Sequence, residues 1–567
     1  MVKMVKVMSK VEKTKKRFSL SSILTIRKKP KEFVEKKEEK KLTIERVMPV
    51  EEPLRIVERD PSWRVLESYY VYKPFVKVTI AETPTGPMYF VEEQGLTPED
   101  KSILSKLAEI LMDEIHPPSK PEDVRDLRAY VFKEVERIAE KYRDKLGLVG
   151  ARRIKVFYYV ERNLLGYGAI DPFLRDPNIE DLSCNGVNVP IFVWHRRYES
   201  IPTNVSFMDD EYLNEIIMKL AHMAGKHISI AYPVLDAMLP EKHRVAATYG
   251  HEVSVKGPSF TIRKFREKPF SVIELIEQGN IDSLTSAYIW LLLEHGKTFM
   301  VAGGTGTGKT TLLNALSMFI KPGMKIVTIE DTPELNLPHV NWVQLTSREV
   351  YIAGAQSLGT SVKLYDLVKL SLRYRPDYII VGEVRGDEAF VLFQAMATGH
   401  SGASTIHAET LDYAVKRLTS PPMNIPPTYM RLMNVFMHVQ RVITRVEKGV
   451  VKVRRRITVV QEVEDFEKYI KISTWDPRTD SHVVNLERSI HLQDIALKRG
   501  LDVSDVIEEI KRRSTVLEWM LIKGIKDAWD VSRIIFDYYY EPKAVYEKAK
   551  SELEELLKKE SVEAPVE

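Results

Sequence analysis

Along VYKPFVKVTIAETPTGPMYFVEE (71–93) apolar and polar residues alternate, the two-residue period of half-buried strands. The period changes at Thr97. Thr97 suits an N-cap, Pro98 a first turn and Asp100 a capping box, and Ile103, Leu104, Leu107, Ile110 and Leu111 recur at helical spacing up to Pro117-Pro118. A second helical stretch covers 121–143, and the charged segment 145–153 reads as a domain boundary. From 156 to 270 the pattern is mixed, with a helix near 211–224, strands near 189–194 and 259–264, and turns at Asn185-Gly186 and Gly257-Pro258. Strands and helices then alternate to about 470 in the order of a parallel sheet covered on both faces. The last hundred residues read as mostly helical, ending in the stripe Val545, Ala549, Leu553, Leu556 and Leu557 with supporting pairs Glu554/Lys558 and Glu555/Lys559. The pattern therefore predicts a basic tail (1–45), a strand-plus-helix segment (46–150), an α/β domain (151–270), an α/β core (271–470) and a helical C-terminal region (471–567).

With 567 residues there is room for three or four domains of about 150 residues. A hydrophobic share of 44% and a charged share of 29% exclude a fibrous or wholly disordered chain. The best membrane-span candidate, AYIWLLLEHGKTFMVAGG, is cut by Glu294, His295 and Lys297. Cys184 is the single cysteine, which excludes an internal disulfide and any multi-cysteine zinc site, and the basic opening lacks the apolar core of a signal peptide. Both point to the cytoplasm. Residues 1–41 hold 15 Lys and Arg against 5 Glu, so with a net charge of +4 overall the rest is mildly acidic, which does not favour a nucleic-acid-binding body. The tail is either a solvated leader or, through Phe18, Leu20, Ile23, Leu24 and Ile26 between its basic clusters, a segment resting on an anionic membrane or a partner's acidic patch.

The chemistry lies in the 271–470 stretch. A short apolar strand leads into Gly303-Gly304-Thr305-Gly306-Thr307-Gly308-Lys309-Thr310-Thr311 and then a helix, a complete phosphate-binding loop. In such a loop backbone N–H groups converge on phosphate oxygens, Lys309 reaches the β and γ phosphates, and the Thr310 hydroxyl is offered to Mg²⁺. The strand KIVTIED ends on Glu330 and Asp331 with Glu334 close behind; acids there can hold Mg²⁺ through water or belong to a solvated turn. The strand DYIIV ends at Gly382-Glu383, and Glu383 is suited to orient or deprotonate a water attacking the γ phosphate. Gly382 stands where many nucleotide hydrolases carry a metal-anchoring Asp. In GHSGASTIHA, His400 and His407 fit either a nucleotide-sensing role or satisfied structural groups.

Taken together, NLLGYGAIDPFLRDPNIEDLSCNG, PVLDAMLPEKHRVAA, FTIRKF, GGTGTGKTT, IEDTPEL, LRYRPDYIIVGEVRG and ATGHSGASTIHA make residues 160–440 resemble the type II/type IV secretion ATPase superfamily. LRYRPDYIIVGEVRG and SPPMNIPP resemble its archaeal branch. The resemblance implies an α/β fold with a RecA-like P-loop core behind a PAS-like α/β domain. It implies ATP and Mg²⁺ at the site, Glu330, Asp331 and Glu334 as an acidic box, Glu383 as the catalytic glutamate, and His400 and His407 as a histidine box. It also implies arginines supplied by the preceding domain, for which Arg244 and Arg263 match best and Arg266 less well; from sequence alone each fits a surface ion pair too. Arg373, Arg375 and Arg385 match family positions without a defined role. The implied machine is a cytoplasmic homohexamer at the inner face of the membrane, driving a multi-spanning platform protein and, indirectly, pilin-like subunits. The rival readings are a DNA-transfer motor, a small-molecule kinase and a nucleotide-gated scaffold without turnover.

Overall fold

The computed structural model describes residues 52–116, 118, 127–265, 268–348, 361–445 and 451–563. The basic tail and Arg266 lie outside them. The chain divides between Phe265 and Arg266 into two compact units.

The first unit is built on ten strands: β1 (Leu54–Ile56), β2 (Arg64–Tyr72), β3 (Val76–Thr83), β4 (Gly86–Glu93), β5 (Ile179–Cys184), β6 (Pro190–His195), β7 (Glu199–Phe207), β8 (Val234–Met238), β9 (Arg244–Thr248) and β10 (Ser259–Arg263). They pair in the order β2-β3-β4-β7-β6-β5-β10-β9-β8, with β1 added on β7. Helices α1 (Pro98–Glu114), α2 (Leu127–Lys141), α3 (Gly150–Val160) and α4 (Asp210–Met223) accompany the sheet. The capping box of α1 forms as the sequence predicts: Asp100 N–H donates to Thr97 Oγ1 at 3.2 Å and Thr97 N–H to Asp100 Oδ2 at 3.0 Å. The boundary expected at 145–153 does not exist. Helix α3 starts inside that segment, and one apolar core runs from Phe75 to Ile262. Its charges are not those of a linker, because Arg152 pairs with Glu99 and Lys155 reaches the buried Asp100 at 3.1 Å, fastening α3 to α1.

The second unit carries β11 (Phe299–Gly303), β12 (Ile326–Glu330), β13 (Trp342–Thr346), β14 (Tyr378–Val381), β15 (Ser401–Ile406), β16 (Val435–Arg445), β17 (Val451–Asp465), β18 (Lys468–Asp476) and β19 (Ser481–Val484). The sheet order is β13-β12-β14-β15-β11-β16-β17-β18-β19. Counted from β11, the parallel part reads 3-2-4-5-1, the RecA-like core, with β16 added in parallel beside β11. The sequence pattern predicts a parallel sheet to about residue 470 and helices after it, but β17 and β18 are antiparallel and β19, in the stretch read as helical, extends them. Only Phe466 and Glu467 separate β17 from β18, and so short a link permits only a hairpin, since a parallel crossover needs a dozen or more residues.

Core helices of this unit are α5 (Ser283–Glu294), α6 (Lys309–Ser317), α7 (Leu364–Ser371), α8 (Glu388–Ala397) and α9 (Leu411–Thr419), followed by α10 (Ile490–Arg499), α11 (Val503–Ile522), α12 (Ala528–Tyr540) and α13 (Pro542–Glu563). The C-terminal helices are not separate from the core: Val516, Leu517, Val531 and Ile535 share one apolar cluster with Trp290 of α5 and with Leu312 and Leu316 of α6. At its centre Arg513, 4% exposed, pairs with Glu294 and with Glu509 at 3.1 Å, its guanidinium 5.0 Å from the Trp290 ring centre and 5.5 Å from that of Tyr538. Burial works against the Glu294 carboxylate, but the Arg513 charge outweighs it and holds the group below its ordinary range. Removing one partner of such a buried pair strands the other charge. Arg513→Ala is therefore expected to cost about 3–5 kcal/mol in denaturant unfolding, with Arg513→Met costing less because it refills the volume.

Candidate functional site

Strand β11 is wholly buried, and its end delivers the chain into the phosphate loop. Gly306 and Gly308 take φ values of 71° and 91°, which side-chain-bearing residues rarely adopt. Gly303 is needed for a different reason, since a Cβ there would lie 2.4 Å from Val439 O on β16. Thr307 Oγ1 donates to Gly304 O at 2.9 Å and Lys309 Nζ to the same carbonyl at 2.7 Å, so the ammonium sits inside the curl of the loop. Helix α6 begins at Lys309, bringing its free N–H groups and partial positive charge to the same point.

The acidic residues arrive on neighbouring strands. Tips of β11, β15, β14 and β12 lie side by side along the carboxyl edge of the parallel sheet, about 15 Å for three strand spacings. Glu383 follows the end of β14 after one intervening residue, Gly382, and is held by its flanks: Val384 N–H donates to Thr405 O at 2.9 Å and Thr405 Oγ1 donates to Gly382 O at 2.8 Å. Its carboxylate remains partly exposed and accepts from Arg385 Nη2 at 2.6 Å. The turn after it is shaped by Glu388, a buried residue the sequence reading passed over, which accepts from the Arg385 and Gly386 N–H groups at 2.6 and 2.7 Å. Gly386 is small because a Cβ would meet this carboxylate at 2.9 Å.

Glu330 differs from the role its box position implies. It is 3% exposed, accepts from the N–H groups of Glu334 and Leu335 at 2.8 and 3.0 Å, and accepts from Gln344 Nε2 at 3.2 Å. Burial pushes this carboxyl up to about 7, against the pull of those donors. It caps the turn that carries the exposed Asp331 and Glu334. Asp331 itself accepts from Ser347 Oγ at 2.8 Å. Gly382 packs closely on this glutamate: a Cβ there would stand 3.1 Å from Glu330 Cγ.

The two histidines are separated. His407 follows β15 and stands exposed at the phosphate-loop edge, whereas His400 precedes β15 at the opposite end of the sheet, within 3.3 Å of Thr398 Oγ1. A six-residue strand spans about 20 Å, so His400 does not share this edge. In the first unit, Arg244 and Arg263 are brought together as direct cross-strand neighbours on the exposed face of β9 and β10. Arg244 pairs with Asp236 at 2.9 Å, the surface ion pair that sequence alone left open, and Arg263 stands opposite Asp181 of β5. Arg373 and Arg375 flank the short turn entering β14, at the amino end of that strand.

Mg²⁺ takes few protein oxygens and keeps water or phosphate in its remaining positions. The donors fit that habit: Thr310 and Asp331 stand at the loop edge, and among the described residues no group of three or more His, Cys, Asp or Glu forms a cage.

Residues 173–464, half of the chain, match the family described as type II/IV secretion system protein. The chain belongs to that family. It is 36% identical to an uncharacterised protein of Methanocaldococcus jannaschii over 82% of this chain and 87% of that one. It is 33% identical to the type IV secretion system protein PtlH of Bordetella pertussis over 46% of this chain and 82% of that one. Among solved structures, the VirB11 ATPase of the Brucella suis type IV secretion system is 26% identical, covering 51% of this chain and 91% of that one, with a TM-score of 0.25. Membership of this secretion ATPase family implies nucleotide binding. The matched span covers the loop at Gly303–Thr311, Glu383, His400 and His407, together with Arg244 and Arg263.

Proposed function

We propose that this chain hydrolyses ATP and works as a homohexameric, cytoplasmic motor at the inner face of the membrane, driving a multi-spanning platform protein that adds or releases pilin-like subunits. The observation that carries the reading is one sheet edge holding both a complete phosphate loop and, two strands away, Glu383 on a clamped backbone. Lys309 and the N–H groups opening α6 bind the β and γ phosphates. Glu383 orients the attacking water and accepts its proton. Thr310 and, through water, Asp331 hold Mg²⁺, which when bound neutralises phosphate charge. Asp331 and Glu334 are placed by the turn that Glu330 caps, and His407 lines the same edge. Arg244 and Arg263 reach a nucleotide within the ring, and the nucleotide state biases rigid-body motion of the arginine-bearing unit.

Replacing either Arg244 or Arg263 with Ala is expected to lower kcat by about 10³-fold or more while leaving thermal unfolding unchanged, because both are exposed and arginines that neutralise transferring phosphate contribute on that scale. Normal kcat in both variants returns them to surface ion pairing. The reading as a whole is tested by steady-state phosphate release from the purified chain, with and without DNA. Turnover indifferent to DNA is expected. Bound ATP without turnover makes the chain a nucleotide-gated scaffold, and strong stimulation by DNA makes it a transfer motor.

A further inference from the structure

Beside the phosphate loop stands an arginine that neither the motifs nor the resemblance pointed to. Strand β16 pairs with β11 up to Val439 opposite Gly303, then runs on through Gln440–Arg445, about 20 Å past the sheet edge, with β17 antiparallel to it. The sequence KVRRRIT on β17 places three arginines in a row, and the two-residue period splits them. Arg454 and Arg456 turn to one face and are neutralised by Asp480, Arg456 through Nε at 2.7 Å and Nη2 at 2.8 Å. Arg455 turns to the other face, which continues the core side occupied by Val439 and Ile457. There its side chain lies along the loop: a Cβ on Gly308 would be 3.4 Å from Arg455 Cδ and 3.9 Å from its Nε. Among the described residues no carboxylate forms an ion pair with Arg455. Directly across the ladder from it is Arg441, exposed on β16.

We infer that Arg455 is a polyphosphate-binding residue of the nucleotide site, carried over the loop by the β16–β17 hairpin. The inference rests on the nucleotide-site reading of Gly303–Thr311 and adds a contact to it from a strand outside the parallel core. A guanidinium forms forked, charge-assisted hydrogen bonds to phosphate that a half-buried arginine without an acid partner is free to make. The hairpin thereby becomes part of the site.

The test is equilibrium binding of a fluorescent ATP analogue to the full chain, displaced by ATP or by inorganic triphosphate. Arg455→Ala is expected to weaken both competitors by about tenfold to a hundredfold, the range for one charge-assisted hydrogen bond. Arg455→Lys is expected to recover part of the loss, and Arg454→Ala to leave affinity at the wild-type value. Unfolding midpoints of Arg455→Ala and wild type should coincide. Unchanged affinity in Arg455→Ala overturns the inference while leaving the site reading intact. So does a loss seen for ATP but not for triphosphate, which would put Arg455 on the base, and so does an equal loss in Arg454→Ala, which would make the effect one of general charge. Failure of the wild-type chain to bind any of these probes overturns the site reading and the inference together.

Discussion

Lys309→Ala is expected to reduce ATP turnover by about 10²–10³-fold or more, the cost of removing one preorganised charge from a reacting phosphate. The size follows from position. Lys309 Nζ is held 2.7 Å from Gly304 O inside the loop, at the start of α6, so its charge is already aimed where phosphate charge develops and no reorganisation is needed. The protein should fold normally, since Lys309 belongs to none of the apolar clusters and Ala is a better helix former than Lys at that position. Phosphate release measured at saturating ATP separates the outcomes, and an undiminished rate removes the loop from the chemistry.

Glu383→Gln is expected to keep nucleotide binding within a few-fold of wild type while lowering kcat by about 10²–10⁴-fold, the range for losing a general base. Gln retains the shape and the clamped backbone, because the bonds from Val384 N–H to Thr405 O and from Thr405 Oγ1 to Gly382 O do not involve the side chain. What is lost is the ability to take a proton, together with an exposed ion pair to Arg385 worth under about 1 kcal/mol. Binding and single-turnover hydrolysis measured on the same preparation decide the role. Equal loss of both assigns Glu383 to binding rather than to proton transfer.

Residues whose role depends on local backbone were legible at once. The capping box at Thr97 and Asp100, the strand–loop–helix around Lys309 and the placement of Glu383 after an apolar strand all follow from short-range chemistry. The sequence signal failed where a side chain's partner is distant along the chain. The charged run at 145–153 looked like a linker because Glu99 and Asp100, which its Arg152 meets, lie some fifty residues earlier. Glu330 looked like one more metal-side acid because nothing nearby says that Gln344 and Gly382 close over it.

From residue order alone came the secretion ATPase resemblance, the phosphate loop and the set of candidate acids, because each is carried by contiguous motifs whose residue types can be read without knowing what packs against them. Tertiary structure alone decided which of those acids is buried, which histidine shares the loop's edge, and that Arg244 and Arg263 are neighbours across a ladder. It also decided that the last helices complete the core beneath α6 and that Arg455 lies on Gly308. The physical reason is common to all of these: burial and ladder register are set by residues far away in sequence, and a one-residue step along a strand moves a side chain to the opposite face.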